Sequence, residues 1–511
     1  MQKPTARDLR GALAGILAAA AGVGASLLLA ALLGSDSSPV YGLGTAVIGI
    51  TPGWLKDFAV ERFGTNDKPI LLGSVFVVMA LASAVVGVIA SRRVGLGLVL
   101  ASALNLVALG AAVKTLNGLQ FSAGTILPGL LSMVVSVALL WLFARTWGAD
   151  PTEHDAPTGF HRRAFLEVAL VSFGVAMLAG GTSVLFGKAG AASRQDVRLP
   201  AAATKASPLP LGADLDVRGI TPYLTSNDTF YRVDVALQVP QIDAGAWRLK
   251  IHGLVDREIE LSYDDILAMP LVERRITLTC VSNQVGDRYV GNATWLGIPM
   301  RALLERAGVK RGADCLVSTS KDDMTISTPM QALTDDRDAL LAVGMNGAPL
   351  PLEHGFPARM VVPGLYGYVS ATKWVVDMEV TQFSKVSTYW TDRGWAAQAP
   401  IKTQSRIDVP RQFASVSPGM VNVAGVAYAQ RRGIAKVEVR VDDGDWQEAR
   451  LATEDTIDTW RQWVFPWDAT RGQHKILVRA TDRTGHTQTS DRVPPRPDGA
   501  TGWHSTTVNV R

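Results

Sequence analysis

Cys280 closes the run Arg275 to Cys280, in which Ile276 and Leu278 alternate with Thr277 and Thr279. That is the period of a β-strand. Ser282, Asn283 and Gly286 follow, all small or turn-forming. The thiol therefore stands where a buried strand opens into a loop, a place where a rigid scaffold presents reactive groups. As a thiolate it is a soft, strong metal donor. The sequence has two cysteines, Cys280 and Cys315, and no Cys-x-x-Cys. Two cysteines make no zinc site without histidine help. On the residues alone, Cys280 reads as a reactive or metal-binding thiol, a buried free cysteine, or half of a 280–315 disulfide.

Three blocks decide among these readings by resemblance. They are Ile276 to Asn283, Met345 to Pro351, and His354 to Gly364, with Lys373 and Trp374 completing the third. In order and spacing they resemble the sulfite oxidase family of molybdopterin enzymes over roughly residues 220–400, and more weakly to the end. The resemblance implies a molybdenum–molybdopterin cofactor (Moco), with Cys280 as the protein ligand to the metal and the pterin dithiolene supplying the other sulfurs. The pterin ends in a phosphate, which requires cations and N–H donors of fork-like geometry. His354, Arg359 and Lys373 match positions that the family uses to hold the cofactor, with Asn283 and Ser370 beside them. Taken singly, His354 is an ordinary loop histidine and Arg359 a solvated strand charge.

The sequence departs from the sulfite-oxidising pattern where substrate is received. Phe230 to Val235 lacks the arginine–asparagine–histidine triplet and offers Arg232 and Asp234 instead. The active-site tyrosine is replaced near Asp322 to Thr325, by Met324, and the turn Gly364 to Ser370 lacks the expected arginine. A carboxylate repels a dianion, so sulfite is not the expected substrate. The expected chemistry is oxygen-atom or coupled two-electron transfer on a small, less anionic molecule, as an oxidase or as a reductase of S- or N-oxides. Asp322, Tyr366 and Tyr368 join Cys280 as candidate catalytic residues; as surface aromatics and a loop carboxylate they read equally well.

These residues need elements to position them. At 511 residues, 48% hydrophobic and with a mean hydropathy of +0.17, the chain is long enough for several domains and apolar for a soluble one. The excess lies before residue 190. Stretches near 11–33, 70–90, 95–113, 124–144 and 165–186 are almost free of charge, and each approaches the ~20 apolar residues that cross a bilayer. Pro39 to Trp54, broken by glycine and proline, reads as a re-entrant or interfacial loop. Eight basic residues (Lys3, Arg7, Arg10, Arg92, Arg93, Arg145, Arg162, Arg163) fall on one side and four (Lys56, Arg62, Lys68, Lys114) on the other. By the positive-inside rule the N-terminus is cytoplasmic and the large C-terminal part extracytoplasmic. His161 to Leu166 also resembles a twin-arginine export signal, although two positive-inside arginines account for it as well.

The expected architecture is thus multi-domain. It comprises a transmembrane α-helical domain of about five helices (1–186), an Ala/Gly/Ser/Pro-rich linker (187–215), an α+β molybdopterin-binding catalytic domain (216–400) and an immunoglobulin-like β-sandwich (401–511). The last rests on short alternating segments around Val421 to Tyr428, Lys436 to Val441, Trp463 to Trp467 and Lys475 to Ala480. The family often uses this domain to dimerise, which leaves a homodimer open. No haem-attachment, iron–sulfur, dinucleotide or P-loop motif is present, so electrons are expected to pass to a separate carrier, a cytochrome or the quinone system. A net charge of +4 spread along the chain gives no case for nucleic acid. The partners expected are a small-molecule substrate, the lipid bilayer and that carrier. The rival function is a non-catalytic, membrane-tethered binding or structural module on the same fold.

Overall fold

The computed structural model describes residues 5–33, 42–44, 46–47, 51, 67–115, 118–119, 123–146, 158–186, 189–236 and 238–511. Most of the Pro39–Trp54 segment, and Lys3, Lys56, Arg62 and His154, lie outside them. The chain divides into two units, residues 1–189 with 236–241 and residues 190–235 with 242–511.

The first unit is helical: α1 (Ala6–Leu32), α2 (Asp67–Arg92), α3 (Val94–Val113), α4 (Ala123–Arg145) and α5 (Thr158–Phe186). Among the described residues, α1, Ile70–Arg92 of α2, α3 and Ile126–Arg145 of α4 are long and apolar enough to cross a membrane. The α5 segment is a helix of 29 residues whose first half carries Arg162, Arg163 and Glu167; it is not among these four candidates. Helix α1 starts at a capping box, in which Thr5 and Asp8 satisfy each other's backbone N–H groups. Asp8 also accepts from Nε and Nη2 of Arg92 at 3.0 and 2.7 Å, so the start of α1 and the end of α2 share one end of the bundle. Helix α1 packs against α2, α4 and α5. Gly11, Gly15 and Gly87 let its backbone approach α2 where a Cβ would strike main chain, the small-residue packing of helices that lack a hydrophobic driving force between them.

The second unit begins with the stretch read as a linker, which the structure lays along the body of the unit. The N–H of Ala203 donates to the Leu271 carbonyl, and that of Glu273 to the Thr204 carbonyl, each at 2.8 Å. Two five-stranded sheets then follow. The strands are β1 (Arg248–Gly253), β2 (Ile259–Ser262), β3 (Val272–Thr279), β4 (Val290–Pro299), β5 (Cys315–Ser320), β6 (Thr325–Pro329), β7 (Leu340–Met345), β8 (Ala348–Pro349), β9 (Arg359–Val361) and β10 (Val375–Thr381). One sheet runs β8–β7–β4–β3 with β9 on β7; the other runs β2–β1–β10–β5–β6. The only parallel neighbours in the two are β1 and β10. The helix after Pro299 spans Met300–Ala307 and stops at Gly308, which is left-handed at φ +73°, as a glycine C-cap allows.

From Gln404 the chain forms two further sheets of four and five strands. The first holds β11 (Gln404–Val409), β13 (Gly419–Tyr428), β17 (Arg461–Ala469) and β16 (Arg450–Leu451). The second holds β12 (Ser415–Val416), β19 (His504–Val510), β18 (Gly472–Asp482), β14 (Ile434–Val441) and β15 (Gln447–Glu448). Inward-facing Ile407, Val423 and Trp463 from one and Val437, Val439 and Val478 from the other meet in a single core. Two sheets that face each other across such a core bury the apolar half of each alternating strand.

Candidate active site

Strand β3 delivers Cys280 as anticipated. The Cys280 N–H donates to the Tyr289 carbonyl at 2.9 Å, and its own carbonyl accepts from Asn283 at 3.1 Å. The alternation of β3 separates two kinds of burial. Ile276 and Leu278 lie in the apolar core, yet Thr277 and Thr279 are equally buried. Thr277 is covered by loop residues that flank the C-terminal strands: Gln430 Nε2 donates to the Thr277 carbonyl at 2.7 Å and the Trp460 N–H to Thr277 Oγ1 at 2.8 Å. The strand that ends in the thiol is hydrogen-bonded on its polar face by residues 150 and more positions downstream. Arg275 is held in the same way, donating to both carboxylate oxygens of buried Asp455 at 2.5 and 2.8 Å.

Cys280 and Cys315 are both free and buried, so no disulfide joins them. Cys280 lines a cavity of about 120 Å³, several times what one ordered water needs. Burial pushes the thiol pKa up, while the N–H and hydroxyl of Ser282 and the nearby Lys373 charge favour the thiolate. A cation bound at the sulfur would complete that tendency.

His354, Arg359 and Lys373 line the same cavity. Gly355 brings them together. It sits at φ +110°, and a Cβ there would press on Cβ of Arg359 at 3.0 Å and Cβ of Lys373 at 3.1 Å. His354 places Nε2 3.0 Å from the Asn227 carbonyl. A carbonyl only accepts, so Nε2 carries the proton; burial and the Arg359 charge hold the ring neutral, with its pKa down to about 4. Arg359 is 5% exposed. Its guanidinium donates to the carbonyls of His354, Met360 and Ala371 at 3.0, 3.4 and 3.4 Å, and burial pulls its pKa to about 10. Among the described residues no carboxylate forms an ion pair with it. A buried cation without a counter-ion is costly unless an anion arrives. Lys373 differs: its Nζ donates to Asp234 Oδ2 at 2.6 Å and to the Glu353 carbonyl at 3.1 Å. Burial lowers its pKa to about 8 against the pull of Asp234.

Asp322 and Tyr368 also line the cavity, whereas Asn283, Tyr366 and Ser370 do not. Burial, with the Asp234 charge, raises the Asp322 pKa, and the Ser320 hydroxyl donates to its carboxylate. The Tyr368 hydroxyl donates to the Ala396 carbonyl at 2.7 Å. Tyr366 turns its hydroxyl toward the Lys402 N–H, at 3.4 Å, and against Gly499. Ser370 Oγ donates to the Leu365 and Tyr366 carbonyls. Asn283 accepts from the Tyr289 N–H at 2.8 Å and donates to the Tyr428 hydroxyl at 3.1 Å. These three hold the walls. Of the substitutions read from the sequence, Asp234 and Met324 face the cavity, and Arg232 reaches it through Asp234, 2.8 Å from its Nε.

Sequence reasoning did not single out Phe230, Tyr231, Trp390 or Trp395, which form much of the remaining wall. Trp395 lies edge-on to Trp390 and tilted over Tyr368, with centroids 6.1 and 5.6 Å apart. The available signal was the density of aromatic residues from Tyr389 to Trp395.

Residues 236–390 match the family model described as oxidoreductase molybdopterin binding domain. The mitochondrial sulfite oxidases of Mus musculus and Homo sapiens are 28% identical over 341 residues, covering 56% of this chain and 62% of theirs; the match thus spans under two thirds of those relatives. An uncharacterized oxidoreductase of Bacillus subtilis (strain 168), YuiH, is 33% identical over 153 residues, 30% of this chain and 74% of that protein. The crystal structure of the sulfane dehydrogenase SoxCD from Paracoccus pantotrophus superposes with a TM-score of 0.51 at 22% identity, over 57% of this chain and 84% of that one. These relatives imply a molybdenum–molybdopterin cofactor, and the residues present fit it: a buried thiol with two donors on its sulfur, and a buried guanidinium without a carboxylate. The chain belongs to the sulfite oxidase family of molybdopterin-dependent oxidoreductases.

Proposed function

We propose that this chain is a membrane-anchored oxidoreductase whose extracytoplasmic cavity performs oxygen-atom or two-electron transfer on a small substrate other than sulfite. The observation that carries the reading is the pairing, in one cavity, of the buried Cys280 thiol with buried Arg359, which no carboxylate pairs among the described residues. The bound cofactor supplies the redox chemistry, and the protein sets access, orientation and electrostatics. In this reading Cys280 is the protein ligand to the metal, Arg359 and neutral His354 hold the anionic pterin, and Lys373 lies beside them. Asp322, whose carboxyl burial pushes toward the protonated form, is the candidate to exchange a proton with substrate at its carboxyl oxygen. Tyr368, Trp390 and Trp395 orient the substrate and exclude water.

The helices α1 to α5 act as the anchor, with the basic ends of α2 and α4 on the cytoplasmic side. The C-terminal sheets serve as an immunoglobulin-type sandwich, and electrons leave or enter through a separate carrier. The test is molybdenum per chain in detergent-purified protein from cells competent to make the cofactor, beside Cys280→Ser. Near-stoichiometric metal with an altered metal spectrum in the variant is expected. A metal-free wild-type protein would sink the assignment.

A further inference from the structure

The cations on the cavity wall are engaged in an unusual way for a site that is to receive an anion. Among the described residues it carries two cations, Arg359 and Lys373, the Asp234 carboxylate, and Asp322, whose pKa burial raises. Asp234 has a side chain 4% exposed and accepts from both Lys373 Nζ, at 2.6 Å, and Arg232 Nε, at 2.8 Å. Lys373 and Arg232 are therefore both engaged by one carboxylate. Arg359 donates to three backbone carbonyls and is taken up, in the proposed function, by the anionic pterin. Tyr231, Met324, Tyr368, Trp390 and Trp395 also line the cavity, and their surfaces take apolar groups.

We infer that Asp234 is the specificity-determining residue of this cavity, a charge filter that turns away oxyanions and leaves an aromatic-walled site for an uncharged, partly apolar substrate. The inference rests on the proposed function for the identity of the site. Its physical content is independent of that reading. A dianion entering this space meets the Asp234 carboxylate in a poorly screened interior and finds the cations beside it already paired. An uncharged molecule bearing a polarised oxygen pays no such penalty and can lay its apolar part on the indole rings.

The test uses the full chain in detergent, loaded with cofactor, and reads tryptophan fluorescence during titration with sodium sulfate or with methyl phenyl sulfone. These are a dianion and an uncharged aryl molecule that both present sulfur-bound oxygens. The wild-type protein is expected to bind the sulfone and to bind sulfate at least tenfold more weakly. Asp234→Asn, which frees Lys373 and Arg232, is expected to tighten sulfate binding at least tenfold, and Asp234→Glu to keep the wild-type preference. An Asp234→Asn protein with wild-type molybdenum content and unchanged sulfate affinity overturns the inference. If that variant does not accumulate, a wild-type protein that prefers sulfate to the sulfone overturns it alone. Absence of molybdenum from the wild-type protein defeats the proposed function instead, and is read separately by metal analysis.

Discussion

At the residue scale, function in this cavity depends on groups whose ordinary ionisation has been altered by burial. Arg359 stays cationic at neutral pH even with its pKa drawn to about 10, while His354 is neutral. His504, outside the cavity, gives the cleanest pH prediction. Its Nδ1 accepts the Ile407 N–H at 3.0 Å, and burial with the Arg406 charge lowers its pKa to about 4 from 6.5. Above pH 6.5 the folded and unfolded chains both carry it neutral, and it adds no pH dependence. Below that, the unfolded chain takes up a proton that the folded chain refuses. Stability is therefore lost as pH falls from 6.5 toward 4, by about 3 kcal/mol at most. Thermal unfolding of the purified chain across this range should show the loss. His504→Gln keeps an acceptor for the Ile407 N–H and should flatten the slope; an identical slope in the variant refutes the assignment.

At the scale of elements, β3 and the loop after it are fixed from two sides. Near-sequence neighbours hold the main chain of Cys280, and the downstream strands with their flanking loops hold Thr277 and Asn283 through Gln430, Trp460 and Tyr428. Asn283 is the joint between them, since one side chain closes the loop onto the Tyr289 N–H and reaches Tyr428. Asn283→Ala leaves a main-chain donor and a buried phenol without these partners, at a cost of about 1–3 kcal/mol. Amide exchange over residues 281–289 should rise several-fold, while the Met300–Ala307 helix stays as protected as in the wild type. Uniform exchange across both would show that Asn283 acts on global stability alone.

At the scale of the whole molecule, each of the two units satisfies its own solvent. The helical unit exposes Leu, Val and Phe side chains along α2 to α5, as lipid-facing helices do, and confines Asp8 and Arg92 to one end as an ion pair. The other unit is a sheet-rich body in which Asp and Arg side chains are buried as pairs, Arg275–Asp455 and Arg406–Asp408 among them. The extracytoplasmic placement proposed above would require an exporter that carries folded proteins, because the cofactor is made in the cytoplasm, and Arg162 and Arg163 in α5 are the residues that the sequence offers for it. Arg162→Lys with Arg163→Lys should leave the catalytic unit protected from protease added outside spheroplasts. Normal cleavage in the double variant would show that these arginines serve orientation only.

How much of this was legible in the sequence follows from the range of each interaction. The Cys280 strand, the long apolar helices (five stretches read from sequence, four of them long and apolar enough among the described residues to cross a membrane) and the later strands all rest on near-neighbour patterns, so period and turn chemistry sufficed. The blocks around Cys280, His354 and Arg359 carried family and cofactor because their residue types must recur together to hold a metal and an anion. Tertiary structure alone decided the rest. Composition marked 187–215 as a spacer, but main-chain hydrogen bonds with Leu271 and Glu273 lay it along the body of its unit. Tyr366 and Ser370 stand in the same turn as Tyr368, yet a 3₁₀ turn over Gly367–Val369 points only Tyr368 into the cavity. The partner of Lys373 lies 139 positions away at Asp234. Nothing local to either residue sets that contact; it is made only when the fold brings segments 139 positions apart together, so charge neutralisation at this cavity is a property of the fold.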